Sequence, residues 1–355
     1  MTARNKNIHF KKTGAWGVVT LDNKNALNAL TIDMVKALCA QLVSWSADKS
    51  VRAILLKGAG ERAFCAGADI RWLHDTAKEN PAYASEFFRE EYRLNSLIYH
   101  YSKPIVSLID GIVMGGGVGL SVHGDFRVAG DETLFAMPET AIGLFPDVGG
   151  GHFMPRLHDG LGLYYALTGA RANAADCMAA GIATHYTPAD KFAELESTLL
   201  NTRLGDHAHA DVETVLDIYA GDPGHAPVND IRLQIARLFQ GHESLSELMQ
   251  GLENDGSDFA AETLETLSRM SPMSMLLTFE QMRRGALLDF DENMKMEFRI
   301  ARRVMEGHDF FEGVRAQIID KDRTPKWSPA SLADVGDADI AAYFEALEGE
   351  ELRLP

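Results

Sequence analysis

The sequence predicts an α/β region followed by a helical region. In the first part of the chain, strand-like and helix-like segments alternate, and that order is typical of α/β proteins. Two strand-like segments, 53–56 and 105–109, are apolar at nearly every position, as expected of strands covered on both faces. From about residue 202 onward, apolar residues recur at helical spacing and strand-like runs are few.

The individual elements follow from the same patterns. Apolar runs with few turn-forming residues predict strands at 8–12, 16–21, 52–57, 105–109 and 126–129. Apolar residues spaced three and four apart predict helices at 32–45, 86–99, 118–123, 230–240, 260–270, 273–284 and 292–305. A polar, glycine-containing break at 205–209 separates the segment with alternating strands and helices from the segment with helical periodicity. We therefore divide the chain into an α/β region, 1–204, and a helical region, 205–355.

Composition restricts the classes of function. The chain has 355 residues, of which 46% are hydrophobic and 24% charged, as expected of a soluble globular protein with an ample core. Its formal net charge of −17 is spread along the chain and repels nucleic acid and anionic lipid. We therefore expect neither a nucleic acid nor a membrane as a partner.

The cysteines and the N-terminal residues predict the compartment. Cys39, Cys65 and Cys177 are widely spaced and form no C-x-x-C pair, which disfavours both a disulfide framework and a cysteine zinc site. The first residues contain neither an apolar signal segment nor an arginine-rich leader, and no later segment approaches membrane-spanning length. The sequence therefore predicts a cytoplasmic protein.

A glycine-rich stretch carries the main chemical signal. Met-Gly-Gly-Gly-Val-Gly occupies 114–119, and Ala-Met-Pro-Glu-Thr-Ala-Ile-Gly-Leu-Phe-Pro-Asp-Val-Gly-Gly-Gly follows at 136–151. Because glycine lacks a Cβ, a ligand can approach this backbone closely, and the helix predicted at 118–123 would direct its positive end toward it. Glu139 and Asp147 add two carboxyl groups. We therefore expect backbone amides that stabilise a carbonyl oxygen beside acid or base groups.

Other uses of a glycine-rich loop fit this sequence less well. Leu120 stands where the dinucleotide-binding pattern G-x-G-x-x-G requires its last glycine, and no Lys-Ser or Lys-Thr follows at P-loop spacing. Ser121 is not part of a G-x-S-x-G nucleophile turn. Glycines can also serve only to let a helix pack closely on a strand, but the neighbouring carboxyl groups disfavour that interpretation.

Four motifs together resemble the crotonase, or enoyl-CoA hydratase and isomerase, superfamily. They are Asp-Asn-Lys-Asn-Ala-Leu-Asn-Ala-Leu at 22–30, Phe-Cys-Ala-Gly-Ala-Asp at 64–69, Gly-Gly-Gly at 115–117 and Pro-Glu-Thr-Ala-Ile-Gly-Leu-Phe-Pro at 138–146. The resemblance implies a superhelix of β-β-α turns, an acyl-CoA substrate and a homo-oligomer. It also implies that no cofactor or metal is required, since coenzyme A is part of the substrate.

The resemblance also implies the site residues. The backbone amides matching Ala68 and Gly116 hold the thioester oxygen of the acyl-CoA. The substrate-binding positions that it implies are Lys24, Ala26, Leu27, Ala66, Gly67, Asp69, Ile70 and Gly115. Asp69 is in addition the expected N-cap of a helix that begins near Ile70. The helical region 205–355 is expected to complete the coenzyme A site and to contribute to oligomerisation.

Two departures separate this chain from the hydratases of the superfamily. Those enzymes carry a glutamate two residues after the last of the three glycines, where this chain has Gly119, and a glycine where it has Asp147. Loss of one carboxyl group argues against the addition of water across a double bond. The departures, together with the segments 115–128, 307–316 and 320–327, resemble the 3-hydroxyisobutyryl-CoA hydrolase branch, which implies thioester hydrolysis in valine breakdown.

For thioester hydrolysis, Glu139 has two candidate roles. It either attacks the carbonyl carbon to give a mixed anhydride, or it deprotonates the water that attacks. The sequence leaves both open. Asp147, placed near Glu139, would raise the proton affinity of one carboxyl group of the pair. That acid either protonates the leaving thiolate or binds the substrate hydroxyl, and we favour hydroxyl binding.

Glu91 is a further candidate, found by helical periodicity. It follows Phe87 by four residues and precedes Leu94 by three, which places it on the apolar stripe of its helix. A buried carboxyl group needs a polar partner, and a hydroxyl on the acyl group would serve. The resemblance supports a substrate contact at this position. The alternative is a glutamate at the edge of the stripe that pairs with Arg93 or another base.

Two other functions stay open at this point. One is a hydratase or isomerase of the same fold, against which Gly119 counts. The other is a non-catalytic relative that binds acyl-CoA or RNA. The presence of both Glu139 and Asp147 argues against a protein without catalytic activity, and the negative net charge argues against RNA binding.

Overall fold

The computed structural model describes residues 6–354 and contains two β-sheets surrounded by helices. The strands are β1 (Ile8–Thr13), β2 (Trp16–Leu21), β3 (Ala53–Gly58), β4 (Ala63–Cys65), β5 (Ile105–Leu108), β6 (Ile112–Met114), β7 (Phe126–Ala129), β8 (Leu134–Ala136), β9 (Ala172–Asn173) and β10 (His185–Tyr186). Six strands form the larger sheet, in the order β1-β2-β3-β5-β7-β10, and four form the smaller sheet, in the order β4-β6-β8-β9. The predicted α/β class is confirmed.

The order of the strands along the chain produces a superhelix. β3, β5 and β7 lie side by side and parallel in the larger sheet, and β4, β6 and β8 do so in the smaller sheet. Each of these larger-sheet strands is followed in the chain by a smaller-sheet strand, and then by helical segments. This repetition confirms the predicted superhelix of β-β-α turns.

Helices cover both sheets and make up most of the chain after β10. The α-helices of the described residues are α1 (Ile32–Ala47), α2 (Ile70–Glu79), α3 (Pro81–Tyr99), α4 (Gly116–Ser121), α5 (Gly150–Phe153), α6 (Leu161–Thr168), α7 (Ala174–Ala180), α8 (Ala189–Asn201), α9 (Ala208–Tyr219), α10 (Val228–Phe239), α11 (Leu245–Asp255), α12 (Asp258–Leu267), α13 (Pro272–Gly285), α14 (Phe290–Val304), α15 (Asp309–Val314) and α16 (Asp337–Phe344). A π-helical turn, Arg315–Ile319, continues α15, and Glu139 begins a 3₁₀ turn, Glu139–Ile142.

The strand β3 is covered on both faces, as its apolar sequence predicts. Ile54 and Leu56 belong to the main core, whereas Ala53 and Leu55 belong to a second apolar cluster. Alternate side chains of a strand point to opposite faces, so a continuously apolar strand needs a packing partner on each side. Here α8 and α9 supply the second partner, because their apolar side chains complete the second cluster.

The start of α4 differs from the prediction, and the difference shapes the site. The helix predicted at 118–123 begins two residues earlier, at Gly116. Gly115 has φ 46° and ψ −121°, a conformation that residues with a Cβ rarely adopt. The turn at Gly115 therefore ends β6 at Met114 and places Gly116 in the first helical position.

The predicted boundary between residues 204 and 205 falls between two helices that pack together. α8 precedes it and α9 follows it, and both cover the larger sheet. The main core also includes Ile8 and Leu352, near opposite ends of the described chain. The division into 1–204 and 205–355 stays a prediction, and its outermost residues, 1–5 and 355, lie outside the described residues.

Within residues 6–354, none of the helices combines the length and the apolar character needed to cross a bilayer.

Candidate active site

A cavity of about 280 Å³ lies where β4, β6 and α4 come together. Its walls come from the segment after β4, from the start of α4, from α3 and from the 3₁₀ turn, and the π-helical turn contributes Gln317 and Ile318. The predicted site residues that line it are Ala66, Gly67, Ala68, Ile70, Glu91, Gly115, Gly116, Glu139 and Asp147. We call it the acyl cavity.

Two backbone amides border the acyl cavity without competing partners in the secondary structure. Leu30 and Ala68 form a parallel bridge that uses the Gly67 carbonyl and the Asp69 N–H, so the N–H of Ala68 points away from the bridge. Gly116 is the first residue of α4, where an N–H has no partner within its helix. The two segments lie close together, since a Cβ placed on Gly116 would lie 3.5 Å from the Ala68 nitrogen. This pair of amides can donate to one oxygen atom.

Glu139 begins the 3₁₀ turn and is 5% exposed. Its Oε1 lies beside Gly115, where an added Cβ would be 3.2 Å away. Its Oε2 has no hydrogen-bond partner among residues 6–354. Burial and the neighbouring Asp147 carboxyl group raise the pKa of Glu139 well above its ordinary value. Its ionised form is therefore poorly stabilised by the protein, which favours its reaction as a base or nucleophile.

Asp147 is held by a tyrosine of α3. The Tyr92 hydroxyl donates a hydrogen bond of 2.8 Å to Oδ2 of Asp147, and both side chains are buried. Burial raises the pKa of Asp147 to about 7, while the bond from Tyr92 acts in the opposite direction. Burial also raises the pKa of Tyr92 well above its ordinary value, so this hydroxyl stays a donor.

Glu91 lies on the buried side of α3, so the position predicted from periodicity is confirmed. It is 1% exposed, and its Oε1 has no hydrogen-bond partner in the part of the chain that the structure describes. Arg93 pairs with Glu90 instead, at 3.7 Å, so the alternative of a Glu91–Arg93 pair is wrong. Burial raises the pKa of Glu91 well above its ordinary value, and the neighbouring carboxyl groups of Asp147 and Glu139 add smaller effects in the same direction.

Gly119 has no space for a side chain. A Cβ at this position would lie 2.6 Å from the Val148 Cβ and 2.7 Å from Nδ2 of Asn95. A glutamate here would have to displace both neighbours. The packing around α4 therefore leaves no room for the second carboxylate of the hydratases.

Four of the predicted substrate-binding residues do not line the acyl cavity. Asp69 accepts a hydrogen bond of 3.1 Å from the Trp72 N–H, which confirms it as the N-cap of α2. Lys24 and Leu27 line a separate cavity of about 110 Å³, and Ala26 lies between them in sequence. Leu27 reaches the site through its backbone, because its carbonyl accepts the N–H of Ala66 at 3.0 Å.

Two residues near the carboxyl groups, Tyr92 and Glu297, were not predicted from the sequence. Tyr92 is the neighbour of Glu91 but gives no pattern that separates it from a core aromatic residue. Glu297 is fully buried on α14 and accepts hydrogen bonds from the N–H groups of Gly149 and Gly151. Like Glu91, Glu297 lies among the apolar positions of its helix, since Met294, Phe298 and Ile300 around it are buried as well, so helical periodicity is the signal that marks it.

Among the described residues, His, Cys, Asp and Glu form no group of three or more suited to holding a metal ion. The expectation that the protein needs no cofactor rests on the resemblance and stays a prediction.

Comparison with known proteins identifies the family. The family model described as enoyl-CoA hydratase/isomerase matches residues 16–344, which is nearly the whole chain. The chain belongs to the enoyl-CoA hydratase/isomerase family. Curated relatives support this membership over about nine tenths of their own length. The protein from Danio rerio named 3-hydroxyisobutyryl-CoA hydrolase, mitochondrial, is 47% identical over 98% of this chain and 91% of its own. The human protein of the same name is 44% identical over 98% of this chain and 90% of its own.

Solved structures of the family have the same fold. A crystal structure described as a carnitinyl-CoA dehydratase from Mycobacterium thermoresistibile has a TM-score of 0.91 at 38% identity, covering 98% of this chain and 99% of its own. Another, described as an enoyl-CoA hydratase from Rhodobacter sphaeroides, has a TM-score of 0.88 at 36% identity, covering 98% of this chain and 100% of its own.

The predicted cytoplasmic location is contradicted by these family members. The relatives from Danio rerio, Xenopus laevis and Homo sapiens are all named as mitochondrial proteins. Unpaired cysteines indicate only a reducing environment, and they do not distinguish the cytoplasm from other reducing compartments.

Proposed function

We propose that this protein hydrolyses the thioester of 3-hydroxyisobutyryl-CoA to give 3-hydroxyisobutyrate and coenzyme A. The names of its relatives support this substrate. The observation that carries the proposal is the arrangement in the acyl cavity, where Glu139 lies beside two free backbone amides and position 119 has no carboxyl group. A place in valine breakdown follows from that substrate.

The first step uses the amides of Ala68 and Gly116. Both donate to the thioester oxygen, which makes the carbonyl carbon more electrophilic. They stabilise the negative charge that this oxygen gains on attack, and removal of one such donor typically lowers the rate by about a hundredfold or more. The first turn of α4 adds its positive end to the same site.

Glu139 then acts by one of two routes. As a nucleophile, its carboxylate bonds to the carbonyl carbon, the C–S bond breaks, and water hydrolyses the resulting mixed anhydride. As a base, it takes a proton from water while the water oxygen bonds to the same carbon. In both routes the thiolate sulfur accepts a proton as coenzyme A leaves. Either role requires ionised Glu139, so activity should increase with pH as this carboxyl group loses its proton.

The other two carboxyl groups have supporting roles in this proposal. Asp147 stays partly protonated near neutral pH and binds the hydroxyl of the acyl group or protonates the leaving sulfur. Glu91, which lines the cavity and has an oxygen that no residue of 6–354 pairs with, binds the same hydroxyl. The segments around Ala66, Ile70 and Gly115 contact the acyl chain and the start of the pantetheine arm.

Lys24, Ala26 and Leu27 lie outside the acyl cavity, where they would contact the nucleotide part of coenzyme A. The small cavity that Lys24 and Leu27 line also contains Arg62, a second cation that suits phosphate binding.

Hydration of an enoyl-CoA is the second candidate, favoured by the descriptions of the solved structures. Family hydratases are expected to use two glutamates, one to orient water and one to supply the α-proton. In this chain the first of these positions is Gly119, which is too crowded for a side chain. Hydrolysis needs only one base or nucleophile and therefore fits the site better.

The test is release of free thiol from 3-hydroxyisobutyryl-CoA, followed with a thiol reagent. The parent protein is compared with Glu139→Gln, and crotonyl-CoA is supplied in parallel. We expect rapid release by the parent and near-complete loss in Glu139→Gln. Loss of crotonyl-CoA absorbance without thiol release would favour the hydratase, and inactivity on both substrates would contradict both enzymatic proposals.

A further inference from the structure

The loop that carries Asp147 contains a residue in an unusual conformation. Val148 has φ +50°, in the left-handed region that β-branched residues rarely occupy, and it is fully buried. Gly149, the next residue, also has a positive φ, of +87°. Such a backbone persists only when its surroundings hold it in place. The residues that hold this loop therefore control where the carboxyl group of Asp147 lies.

Glu297 of α14 holds the loop after Asp147. Its Oε2 accepts the N–H of Gly149 at 2.7 Å, and its Oε1 accepts the N–H of Gly151 at 2.9 Å. Oε1 also accepts bonds from Asn293 Nδ2 at 2.9 Å and from Gln281 Nε2 at 3.1 Å. All four partners are donors, so they stabilise the ionised carboxylate, which only accepts, whereas burial acts in the opposite direction and raises the pKa of Glu297 to about 8.

Gln281 of α13 holds the loop before Asp147. Its Nε2 donates to the Pro146 carbonyl at 2.8 Å, in addition to its bond to Glu297. Because a carbonyl oxygen can only accept, the orientation of this amide is fixed. Beneath the loop, Nε2 of His123 donates to the Val148 carbonyl at 2.7 Å. Asp147 is thus bracketed by bonds to the residues immediately before and after it.

We propose that Glu297 and Gln281 are positioning residues that hold Asp147 in place for thioester hydrolysis. The inference rests on the proposed function, in which Asp147 contacts the substrate. Neither residue lines the acyl cavity, so neither contacts the acyl group there. Both act through the backbone of 146–151. The helices α13 and α14 therefore contribute to catalysis at a distance.

Glu297→Gln tests the inference with little change in size. One carboxylate oxygen becomes an NH₂ group, which then faces a backbone N–H or a side-chain amide donor. We expect the loop to shift, the kcat for thiol release to fall by about tenfold or more, and the KM to change little. An unchanged kcat would overturn the proposal.

A double variant separates positioning from general damage. If Glu297 acts through Asp147, the change Glu297→Gln should cost almost nothing further in a protein that already carries Asp147→Asn. Fully additive losses would overturn the proposal. Glu292→Gln is the matched control, because Glu292 lies on the same helix and, within the described residues, its carboxyl group bonds to Lys295 and to no part of the loop.

Two further measurements keep the proposal testable in all cases. Gln281→Met removes the donor to the Pro146 carbonyl. Like Glu297→Gln, it should lower kcat in the parent but cost almost nothing further in Asp147→Asn. This variant takes the place of Glu297→Gln if that protein does not fold. Amide hydrogen exchange over 147–151 should accelerate in either variant but not in Glu292→Gln. Unaccelerated exchange would overturn the inference.

A parent protein without thioesterase activity would instead contradict the proposed function, and hydrogen exchange would still decide whether these residues hold the loop.

Discussion

Glu91 is almost completely buried and has one oxygen without a hydrogen-bond partner among the described residues, an arrangement that is costly in a protein without substrate. A hydroxyl group on the substrate would supply the missing partner. The protein should therefore prefer acyl groups that carry this hydroxyl over those that lack it.

Glu91→Ala should reduce this preference. We expect kcat/KM for 3-hydroxyisobutyryl-CoA to fall about tenfold relative to that for isobutyryl-CoA, which has no hydroxyl, because one hydrogen bond to the substrate is lost. Glu91→Gln, which keeps a group able to bond the hydroxyl, should retain most of the preference. Equal losses for the two substrates would show that Glu91 does not contact the hydroxyl.

Asp147 should make stability depend on pH. Its pKa of about 7 in the folded protein exceeds the ordinary value of 3.8, so the folded state holds this proton more tightly than the unfolded state. The resulting stabilisation is present at low pH and is lost as the pH rises through about 7. Asp147→Asn removes this loss of stability. The Tm of the variant minus the Tm of the parent should therefore be at least about 2 °C larger at pH 8 than at pH 5.

Thermal unfolding of both proteins at the two pH values measures this difference. A Tm difference that is the same at pH 5 and pH 8 would show that Asp147 has an ordinary pKa in the folded protein.

Residues of the site were predictable where a local pattern marks them. Glu139 and Gly116 belong to motifs, and Glu91 interrupts an apolar stripe. Tyr92 has the pattern of any buried aromatic residue, and its bond to Asp147 joins residues 55 apart in the chain. The conformation of Val148 was equally out of reach, because it depends on contacts with helices more than a hundred residues further along.

At the scale of elements, long periodic helices and apolar strands of four or more residues were predicted well, whereas the three-residue strands were not. The helix predicted at 32–45 is α1, Ile32–Ala47, and the strand predicted at 126–129 is β7. β4, β6 and β8 have three residues each, too few for a recognisable alternation. They form because parallel neighbours in the smaller sheet pair with them.

The π-helical turn is an element on which the acyl cavity depends. Gln317 and Ile318 line the cavity, and Arg315 at the start of the turn ties the following loop back to it. The guanidinium bonds to Glu312 with two nitrogens, and it also bonds to Asp320 at 2.8 Å and Asp322 at 2.6 Å. The segment that contains Asp320 and Asp322 should therefore stay packed against the π-helical turn while Arg315 is present.

Arg315→Ala should open this part of the cavity wall. We expect severalfold faster tryptic cleavage after Lys321 or Arg323 and a higher KM for acyl-CoA, because the turn loses its anchor. Arg283→Ala is the control, since Arg283 pairs with Glu280 on the surface of α13 away from the turn. Cleavage at the same rate in both variants would indicate that the loop is held by other contacts.

On the scale of the whole molecule, the two predicted regions share one core. The main apolar cluster contains residues from Ile8 to Leu352, and α13 and α14 bond to the loop that carries Asp147. The order of strands in the sheets was accessible only through the family resemblance, because strand pairing depends on long-range contacts. The predicted homo-oligomer stays a prediction that sedimentation analysis of the full chain would test.

A shared core predicts cooperative unfolding. In scanning calorimetry, the regions 1–204 and 205–355 should unfold in one transition whose calorimetric and van't Hoff enthalpies agree. Two resolved transitions would show that the helical region is stable on its own.

The three carboxyl groups of the acyl cavity have a consequence for the end of each reaction cycle. Hydrolysis creates an ionised carboxylate on the product, beside three carboxyl groups whose own pKa values burial already raises. The cost of holding this charge in the buried cavity, together with repulsion from whichever of the three groups is ionised, should favour release of the hydroxy acid and oppose its return. We therefore expect 3-hydroxyisobutyrate to inhibit much more weakly than its uncharged amide, and equal inhibition constants would contradict this electrostatic ejection of product.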